Sequence, residues 1–316
     1  MATVSVSHVI TIPATDSIYS DLDFIKERVL LLCYFDIAGV TVRLTSDTSI
    51  KISDKMNPYL LSSAPEDVAY EISVAKCDRL PQKDRSYYQS GTSYYEATAS
   101  GKRIFLARDS FSDPYAMVEF YRNKRIDLIY LQGNENLIDN TTALFHKIGF
   151  ENLLLDCNRL ILHCSYILYK EKSILFSAPS ETGKSTQARL WNVFYNAEII
   201  NDDRAAISVS DTACFSHGIP FSGTSYICNN YSSEIGAIVI LAQGKQNEIS
   251  RINKTEAFLH LYSETTIHQW DKNYVENASA LMLAVIEKVP VYMLTCLPDK
   301  GAADLLHKTL SDGGNF

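Results

Sequence analysis

The chain has 316 residues, 46% of them hydrophobic and 21% charged, a composition typical of a globular protein with one large domain or two ordinary ones. No apolar run approaches the roughly 20 residues that a transmembrane helix needs, which argues against a membrane protein. The net charge of −8 disfavours nucleic-acid binding through the whole surface.

Cysteine usage and the first residues bear on the compartment. The seven cysteines include no C-x-x-C pair, which favours reduced thiols. Met1 to Ser20 does not contain a basic segment followed by an apolar core, the pattern of a secretory signal. Together these features predict a cytoplasmic protein.

The first 135 residues are rich in tyrosine and in strand-like sequence. Val40–Leu44 alternates between apolar and polar residues, and Ile104–Ala107 also has the character of a hairpin strand. The tyrosine pairs at 87–88 and 94–95 either cover a core or form a platform on which a substrate stacks. We predict that residues 1–135 form a strand-rich domain, a candidate for substrate recognition.

Residues 136–316 are predicted to form a second domain. Asn136 to Phe150 has the apolar stripe of a helix that begins at Asn136 or Asp139 and ends at Gly149. Strands are predicted at Leu153–Leu155, Leu160–Leu162, Tyr166–Tyr169, Ser173–Ser177, Glu198–Ile200, Ala205–Val209, Ala237–Ala242 and Val289–Cys296. Helices are predicted from Lys184 through Trp191 and at Asn253–Leu261, Val275–Lys288 and Ala302–Leu310. Because the strands bunch instead of alternating with helices, we expect an α/β (α+β) protein with a mixed sheet.

Ala178 to Thr186 reads A-P-S-E-T-G-K-S-T between an apolar strand and a helix. It matches the phosphate-binding P-loop pattern G-x-x-x-x-G-K-[ST] except at its first position, where Ala178 is tolerable if its φ is negative. Backbone N–H groups and the helix dipole would attract phosphate there. The predicted nucleotide-binding residues are Ser180, Glu181, Thr182, Gly183, Lys184, Ser185 and Thr186.

Three side chains of the loop are predicted to affect nucleotide binding in different ways. Lys184 would reach the β- and γ-phosphates of ATP, and Ser185 would place its hydroxyl on Mg²⁺. Glu181 would repel phosphates unless it faces solvent. A strand–turn–helix connection without a ligand is the structural alternative.

Two adjacent acids lie at the end of the strand that is predicted to follow the P-loop helix. We expect this strand to lie next to the P-loop. A triphosphate site needs an acid for the metal, and a transferase needs a base for the incoming hydroxyl. One of Asp202 and Asp203 could bind Mg²⁺ with Ser185 while the other takes the proton; we assign the metal to Asp203. Adjacent strand residues point to opposite faces, so both can act only if the strand has ended or bulged. A polar turn in which Arg204 pairs with an aspartate is the alternative.

Two further features are candidates for the same site. His163 lies on the strand before the P-loop strand, and the hairpin between the two strands would bring the P-loop back to the sheet edge where His163 lies. The alternative is a core residue, because a single histidine on an apolar strand is usually buried in the core. The Gly- and Ser-rich stretch from His217 to Ser225 is either a loop over the phosphates or the acceptor, or an ordinary hairpin loop.

This combination of a histidine, a hairpin, the P-loop, a helix and an Asp-Asp pair resembles the HPr kinase/phosphorylase family and, more distantly, ATP-dependent phosphoenolpyruvate carboxykinases. S-A-P-S-x-T-G-K-S-T-Q-A-x-L-W, I-I-N-x-D-R-A, G-I-P-x-S-G-T-S and C-L-P-D resemble a branch of HPr-kinase-like proteins, some encoded beside peptide-modifying enzymes. The resemblance covers roughly residues 137–312. That branch usually has glycine where this chain has Glu181, and the N-terminal region differs from that of true HPr kinases.

The resemblance implies roles for individual residues. Lys184 and the loop amides bind phosphates, and Ser185 and one aspartate bind Mg²⁺. The other aspartate of the pair Asp202 and Asp203 acts as base, and His163 orients it. The implied activity is an ATP-dependent kinase that phosphorylates a hydroxyl, with Ser or Thr of a peptide or protein as the first choice of acceptor. The alternatives are a nucleotide-binding regulator with little turnover and a small-molecule kinase.

Overall fold

The computed structural model describes residues 30–83, 87–99, 101–223 and 225–314. Met1 to Ser20, on which the signal-sequence prediction depends, and Thr224 of the Gly- and Ser-rich stretch lie outside these ranges. The chain divides into two compact units. Of the described residues, the first comprises those within 30–36, Thr41–Ser53 and Leu60–Ile148, and the second comprises those within Ile37–Val40, Asp54–Tyr59 and 149–314.

The first unit is built on an eight-stranded sheet. In chain order its strands are β1 (Leu31–Ile37), β2 (Val40–Ser46), β3 (Tyr70–Cys77), β4 (Tyr88–Ser90), β5 (Ser93–Ala97), β6 (Gly101–Leu106), β7 (Ala116–Tyr121) and β8 (Arg125–Leu131). They lie in the order β1-β2-β3-β8-β7-β6-β5-β4. The pairings β2–β3 and β3–β8 are parallel and those from β8 through β4 are antiparallel, so the sheet is mixed. The predicted strand-rich N-terminal region is therefore confirmed.

One helix of this unit differs from its prediction. Helix α1 spans Thr141–Lys147, and the side chain of Asn140, rather than Asn136 or Asp139, accepts a hydrogen bond from the backbone of its first turn. Gly149 has a φ of +62° and begins a further helix instead of ending a long one. That helix, α2, spans Phe150–Asp156, so the strand predicted at Leu153–Leu155 is wrong. A short run of leucines has no period that separates a strand from a buried helix.

The second unit contains the second sheet. Its strands are β9 (Arg159–Tyr169), β10 (Lys172–Ser177), β11 (Glu198–Asn201), β12 (Arg204–Val209), β13 (Cys214–Gly218), β14 (Ser232–Gln243), β15 (Glu248–Arg251) and β16 (Val291–Cys296). The remaining helices are α3 (Lys184–Tyr195), α4 (Lys254–Ser263), α5 (Lys272–Lys288) and α6 (Lys300–Asp312). The order is β10-β9-β12-β13-β14-β16-β15, with β11 also on β9, and a pairing of β10 with β14 closes five of these strands into a ring. The predicted mixed sheet is confirmed, because β10–β14 and β14–β16 are parallel and the other pairings are antiparallel.

Helices cover this sheet on both faces, and strand β10 lies between the two layers. Ile174 and Phe176 of β10 pack into a core with Ala188 and Trp191 of α3 and with α6. Leu175, which alternates with them, packs into the opposite core with α4 and α5. Burial on both faces explains why β10 reads as an unbroken apolar run. The strand therefore holds the P-loop in a fixed place at its carboxyl end.

No helix in the described part of the chain has the length and apolar character to cross a bilayer.

Candidate functional site

The P-loop connects the end of β10 to the start of α3, as predicted. Ala178 is buried, with 1% of its surface exposed, and does not have a positive φ, so its Cβ is accommodated. Ser180 and Glu181 are exposed at the tip of the loop. Thr182 lies half-buried beyond the tip, and its N–H donates to the Pro179 carbonyl over 3.3 Å. The loop thus makes a tight turn before the helix begins.

Two residues of this turn have left-handed backbone conformations. Gly183 has a φ of +120° and Glu181 a φ of +65°. The value at Glu181 explains physically why glycine suits this position, since a residue with a Cβ is strained there. The side chain of Gln243, at the end of β14, donates to the Glu181 carbonyl over 3.3 Å and supports the turn. Because Glu181 is exposed, its side chain can face solvent, the condition under which it would not repel bound phosphates.

The start of α3 has backbone donors without a side-chain cap. Its first helical hydrogen bond runs from the Gln187 N–H to the Gly183 carbonyl, so the N–H groups of the first turn have no acceptor within the helix. In the described helices α1, α4, α5 and α6, the residue before the helix is Asn or Asp, and its side chain accepts a hydrogen bond from a backbone N–H of the first turn. In α3 this residue is Gly183, which has no side chain to do so. Ser185 is half-buried in this turn and Thr186 is exposed. The turn is therefore suited to an anionic ligand.

Lys184 is buried, and its ammonium group points back into the loop. Its Nζ donates to the carbonyls of Ala178 at 2.7 Å and Pro179 at 3.2 Å. Burial lowers the pKa of Lys184, and the negative charges of Glu264 and Asp203 act in the opposite direction. Lys184 thus shares its electrostatic environment with Asp203, one of the two predicted acids.

Strand β9 connects the P-loop to the acids. The expectation that the strand after α3 lies next to the P-loop strand is wrong, because β10 pairs with β9 and β14, whereas β11 and β12 pair with β9. His163 of β9 lies opposite Arg204, and its carbonyl accepts from the hydroxyl of Ser177 at the end of β10, over 3.0 Å. The N–H of Cys164 donates to the Asp203 carbonyl over 2.9 Å. One strand therefore places the histidine and an aspartate beside the P-loop.

The acids occupy a turn between β11 and β12, where the strand has ended as their joint use requires. Asn201, which is fully buried, organises this turn. Its side-chain oxygen accepts from the N–H groups of Asp203 at 2.9 Å and Arg204 at 3.0 Å. Its amide nitrogen donates to the carbonyls of Ile219 and Phe221 at 2.9 and 3.1 Å. Asn201 therefore fixes the turn to the segment that follows β13.

Asp203 is surrounded by donors. Its Oδ1 lies 3.4 Å from Nε2 of His163, and its Oδ2 accepts from Nε of Arg204 at 3.3 Å. The hydrogen bond from His163 lowers the pKa of Asp203, and Arg204 adds to this against the opposing effect of burial. The other ring nitrogen of His163, Nδ1, lies 2.9 Å from Oε2 of Glu264. Asp203 is thus held as a carboxylate in a chain of polar contacts that runs from Arg204 through Asp203 and His163 to Glu264.

Asp202 is buried and faces the segment after β13. Its Oδ1 accepts from the N–H of Gly223 at 3.3 Å, and its own carbonyl accepts from the Ser165 hydroxyl at 3.1 Å. His217 and Gly218, the first residues of the predicted Gly- and Ser-rich loop, instead belong to β13. A Cβ at Gly218 would lie 1.9 Å from the Asn229 carbonyl oxygen, so only glycine fits where the segment closes on itself.

The exposed tip of this segment is aromatic. Tyr226 is 73% exposed, with a φ of +62°, and Nζ of Lys55 lies 4.6 Å from the centre of its ring. Lys55 also donates to the Ser222 carbonyl over 3.5 Å. Strained backbone that the surroundings maintain is common at ligand sites. Tyr226 is therefore a candidate residue for contact with a ligand.

The residues present fit a nucleotide and a metal ion. The uncapped first turn of α3 and the buried Lys184 provide donors for phosphate oxygens. The Ser185 hydroxyl and the carboxylates of Asp202 and Asp203 are the hard oxygen ligands that Mg²⁺ prefers. Within the described ranges, no group of three or more His, Cys, Asp or Glu side chains is arranged to hold a metal.

Sequence reasoning missed Glu264 and the role of Asn201. Asn201 stands inside the motif next to the acids, so its position in a turn between strands was a usable signal. Glu264 is 101 residues from His163 and has no motif of its own. Only the fold brings it to the site.

Comparison with known proteins identifies no family. The chain matches no protein-family model and no curated protein. Among solved structures it is similar to the HPr(Ser) kinase/phosphatase from Coxiella burnetii, with a TM-score of 0.27 and 10% identity over 49% of this chain and 89% of that one. A likeness at this level is too weak to support an inference about function.

Proposed function

We propose that the protein is an ATP-dependent kinase that transfers the γ-phosphoryl group to a hydroxyl, in the first instance that of Ser or Thr in a peptide or protein. The observation that carries the proposal is the convergence of a P-loop lysine with an anionic, hydrogen-bonded Asp203 at one end of the second sheet. A nucleotide-binding module without transfer would need the lysine but not the paired acids.

The proposed reaction is an in-line displacement at the γ-phosphorus. The acceptor oxygen forms a bond to phosphorus while the bond to the β,γ-bridging oxygen breaks, and ADP leaves. The hydroxyl proton passes to one carboxylate of the pair Asp202 and Asp203. The products are ADP and a phosphate monoester of the acceptor.

The protein contributes charge and position. Lys184 exchanges its loop carbonyls for phosphate oxygens, and the amides from Ser180 to Thr186 hold the remaining phosphate charge. Ser185 and Asp203 would hold Mg²⁺, which neutralises phosphate charge when it is bound. Asp202 would then be the base. His163 and Arg204 contact Asp203, so they would orient the metal ligand and not the base, unlike the role that the resemblance implies for His163.

Three broader assignments accompany this proposal. Residues 136–316 form the kinase domain, and residues 1–135 contribute to acceptor recognition. The seven cysteines, which all lie within the described ranges, form no disulfide, in keeping with a reducing cytoplasm.

The test is transfer of label from γ-labelled ATP to a panel of Ser- and Thr-containing peptides and small alcohols. D202N and D203N should each reduce transfer at least about 100-fold, the scale of losing a catalytic base. ATP binding, measured by calorimetry, should fall much less. D211N, at an exposed aspartate in a turn, is the matched control and should behave like the wild type. Full transfer by both D202N and D203N would refute the roles given to the pair.

A second candidate is a nucleotide-binding regulator with little turnover. The bonds of Lys184 to the Ala178 and Pro179 carbonyls favour it, because they compete with phosphate. Tight ATP binding without transfer or hydrolysis over hours would decide for the regulator. Transfer to small alcohols but to no peptide would instead identify a small-molecule kinase.

A further inference from the structure

The carboxylate of Glu264 is largely shielded from solvent beside the candidate site. Its side chain is 10% exposed, and its Oε2 lies 2.9 Å from Nδ1 of His163. A carboxylate is costly to bury unless a donor compensates for its lost hydration. The ring of His163 supplies that compensation here.

Backbone hydrogen bonds also hold Glu264 in place. Glu264 caps the end of α4, where its N–H donates to the carbonyls of Leu261 and Tyr262. Its own carbonyl accepts from the N–H of His163 over 2.9 Å. The next residue, Thr265, forms a bridge with Leu162 of β9. Glu264 therefore holds both the backbone and the ring of His163.

The contact between Glu264 and Nδ1 determines how the imidazole ring of His163 is oriented. With Nδ1 on Glu264, the other nitrogen lies 3.4 Å from Oδ1 of Asp203. A ring turned about its axis would lose the contact with Glu264. The orientation of His163 toward Asp203 thus depends on Glu264, which caps the end of α4 and lies 101 residues further along the chain.

We propose that Glu264 is a positioning residue, which fixes the ring of His163 so that its Nε2 supports Asp203 during phosphoryl transfer. Its catalytic consequence rests on the proposed kinase function, whereas the placement of the ring does not. Glu264 acts through His163 and needs no contact with the nucleotide or the acceptor.

The test compares E264A, which removes the acceptor, with E264Q, which keeps a neutral oxygen there. Nitrogen-15 NMR at a single pH should show a protected Nδ1–H of His163, assigned by its loss in H163Q. The signal should disappear in E264A and persist, shifted, in E264Q. E287A is the matched control, because Glu287 pairs with Lys254 of α4 but is 59% exposed; its spectrum should match the wild type.

Kinetics then tests the link to catalysis. E264A should lower kcat about 10- to 100-fold while the Kd for ATP stays within about twofold, and E264Q should recover most of kcat. A wild-type Nδ1–H signal or a wild-type kcat in E264A would overturn the proposal. If E264A does not fold, an unshifted ring signal in E264Q would do so. Absence of transfer in the wild type would refute the kinase function, and the NMR result would still decide how His163 is held.

Discussion

Replacement of Lys184 by methionine separates the stability of the fold from phosphate binding. Lys184 is buried, and burial lowers its pKa, so the folded state pays for a partly desolvated cation. K184M keeps the length of the side chain and removes the charge and the two bonds to loop carbonyls. Those losses and the relief of desolvation oppose each other, so we expect the free energy of unfolding to change by no more than about 2 kcal/mol.

The effect on phosphoryl transfer should be larger than the effect on the fold. A hydrogen bond from an ammonium to a phosphate oxygen contributes about 2 to 3 kcal/mol, and each carbonyl bond that Lys184 gives up costs about 1 kcal/mol. Because Lys184 gives up two such bonds, the net loss of ATP affinity is about 0 to 1 kcal/mol, at most roughly fivefold in Kd. Charge that develops in transfer adds about 3 kcal/mol, so kcat should fall at least about 100-fold.

Calorimetry with ATP and Mg²⁺, urea unfolding and labelled-phosphate transfer measure the three quantities. K172M is the matched control, since Lys172 begins the same strand β10 and pairs with Glu234 at 38% side-chain exposure. It should leave affinity and transfer unchanged. Transfer at the wild-type rate by folded K184M would refute the assignment of Lys184 to the phosphates.

Further predictions concern the loop, the turn and the response to pH. E181G should relieve the strain at φ +65° and raise the free energy of unfolding by at most about 1 kcal/mol, while E181Q, which keeps the strain, should not; equal stability of the two in urea would contradict this. N201A should cost about 2 to 4 kcal/mol of stability, because it leaves buried backbone donors and acceptors unpaired; a loss below about 1 kcal/mol in urea unfolding would show that the turn does not depend on it. Burial lowers the pKa of His217 to about 4, and the charge of Arg159 adds to the effect. Since the pKa of histidine in the unfolded chain is about 6.5, the stability that the neutral ring contributes is present above that pH and is lost as the pH falls toward 4. H217N should therefore lose less stability than the wild type between pH 7 and 4.5. Equal losses in the two proteins would show that His217 is not the source of the pH dependence.

Local sequence predicted the fold correctly where a sequence pattern is typical of a single structure. The unbroken apolar run of β10 followed by T-G-K-S-T predicted the strand, loop and start of α3, and the structure contains all three. The leucines at 153–155 had no such pattern, and the structure makes them helical. The helix predicted at Asn136 to Phe150 was divided by Gly149, whose positive φ starts α2.

Long-range pairing was beyond the sequence. Nothing local indicates that β9 is long enough to pair with β10 on one side and with β11 and β12 on the other. That pairing carries His163 to Asp203, although β9, and not the strand after α3, lies next to the P-loop strand. Glu264 was missed for the same reason, since its partner lies in a strand 101 residues earlier.

Phosphorus-31 NMR of ATP and Mg²⁺ incubated with the protein and hydroxyl acceptors tests the central proposal most directly. The kinase function predicts equal growth of ADP and of a phosphate monoester resonance, both absent with K184M. Inorganic phosphate as the sole phosphorus product beside ADP, or ATP that stays intact while bound, would contradict transfer to a hydroxyl.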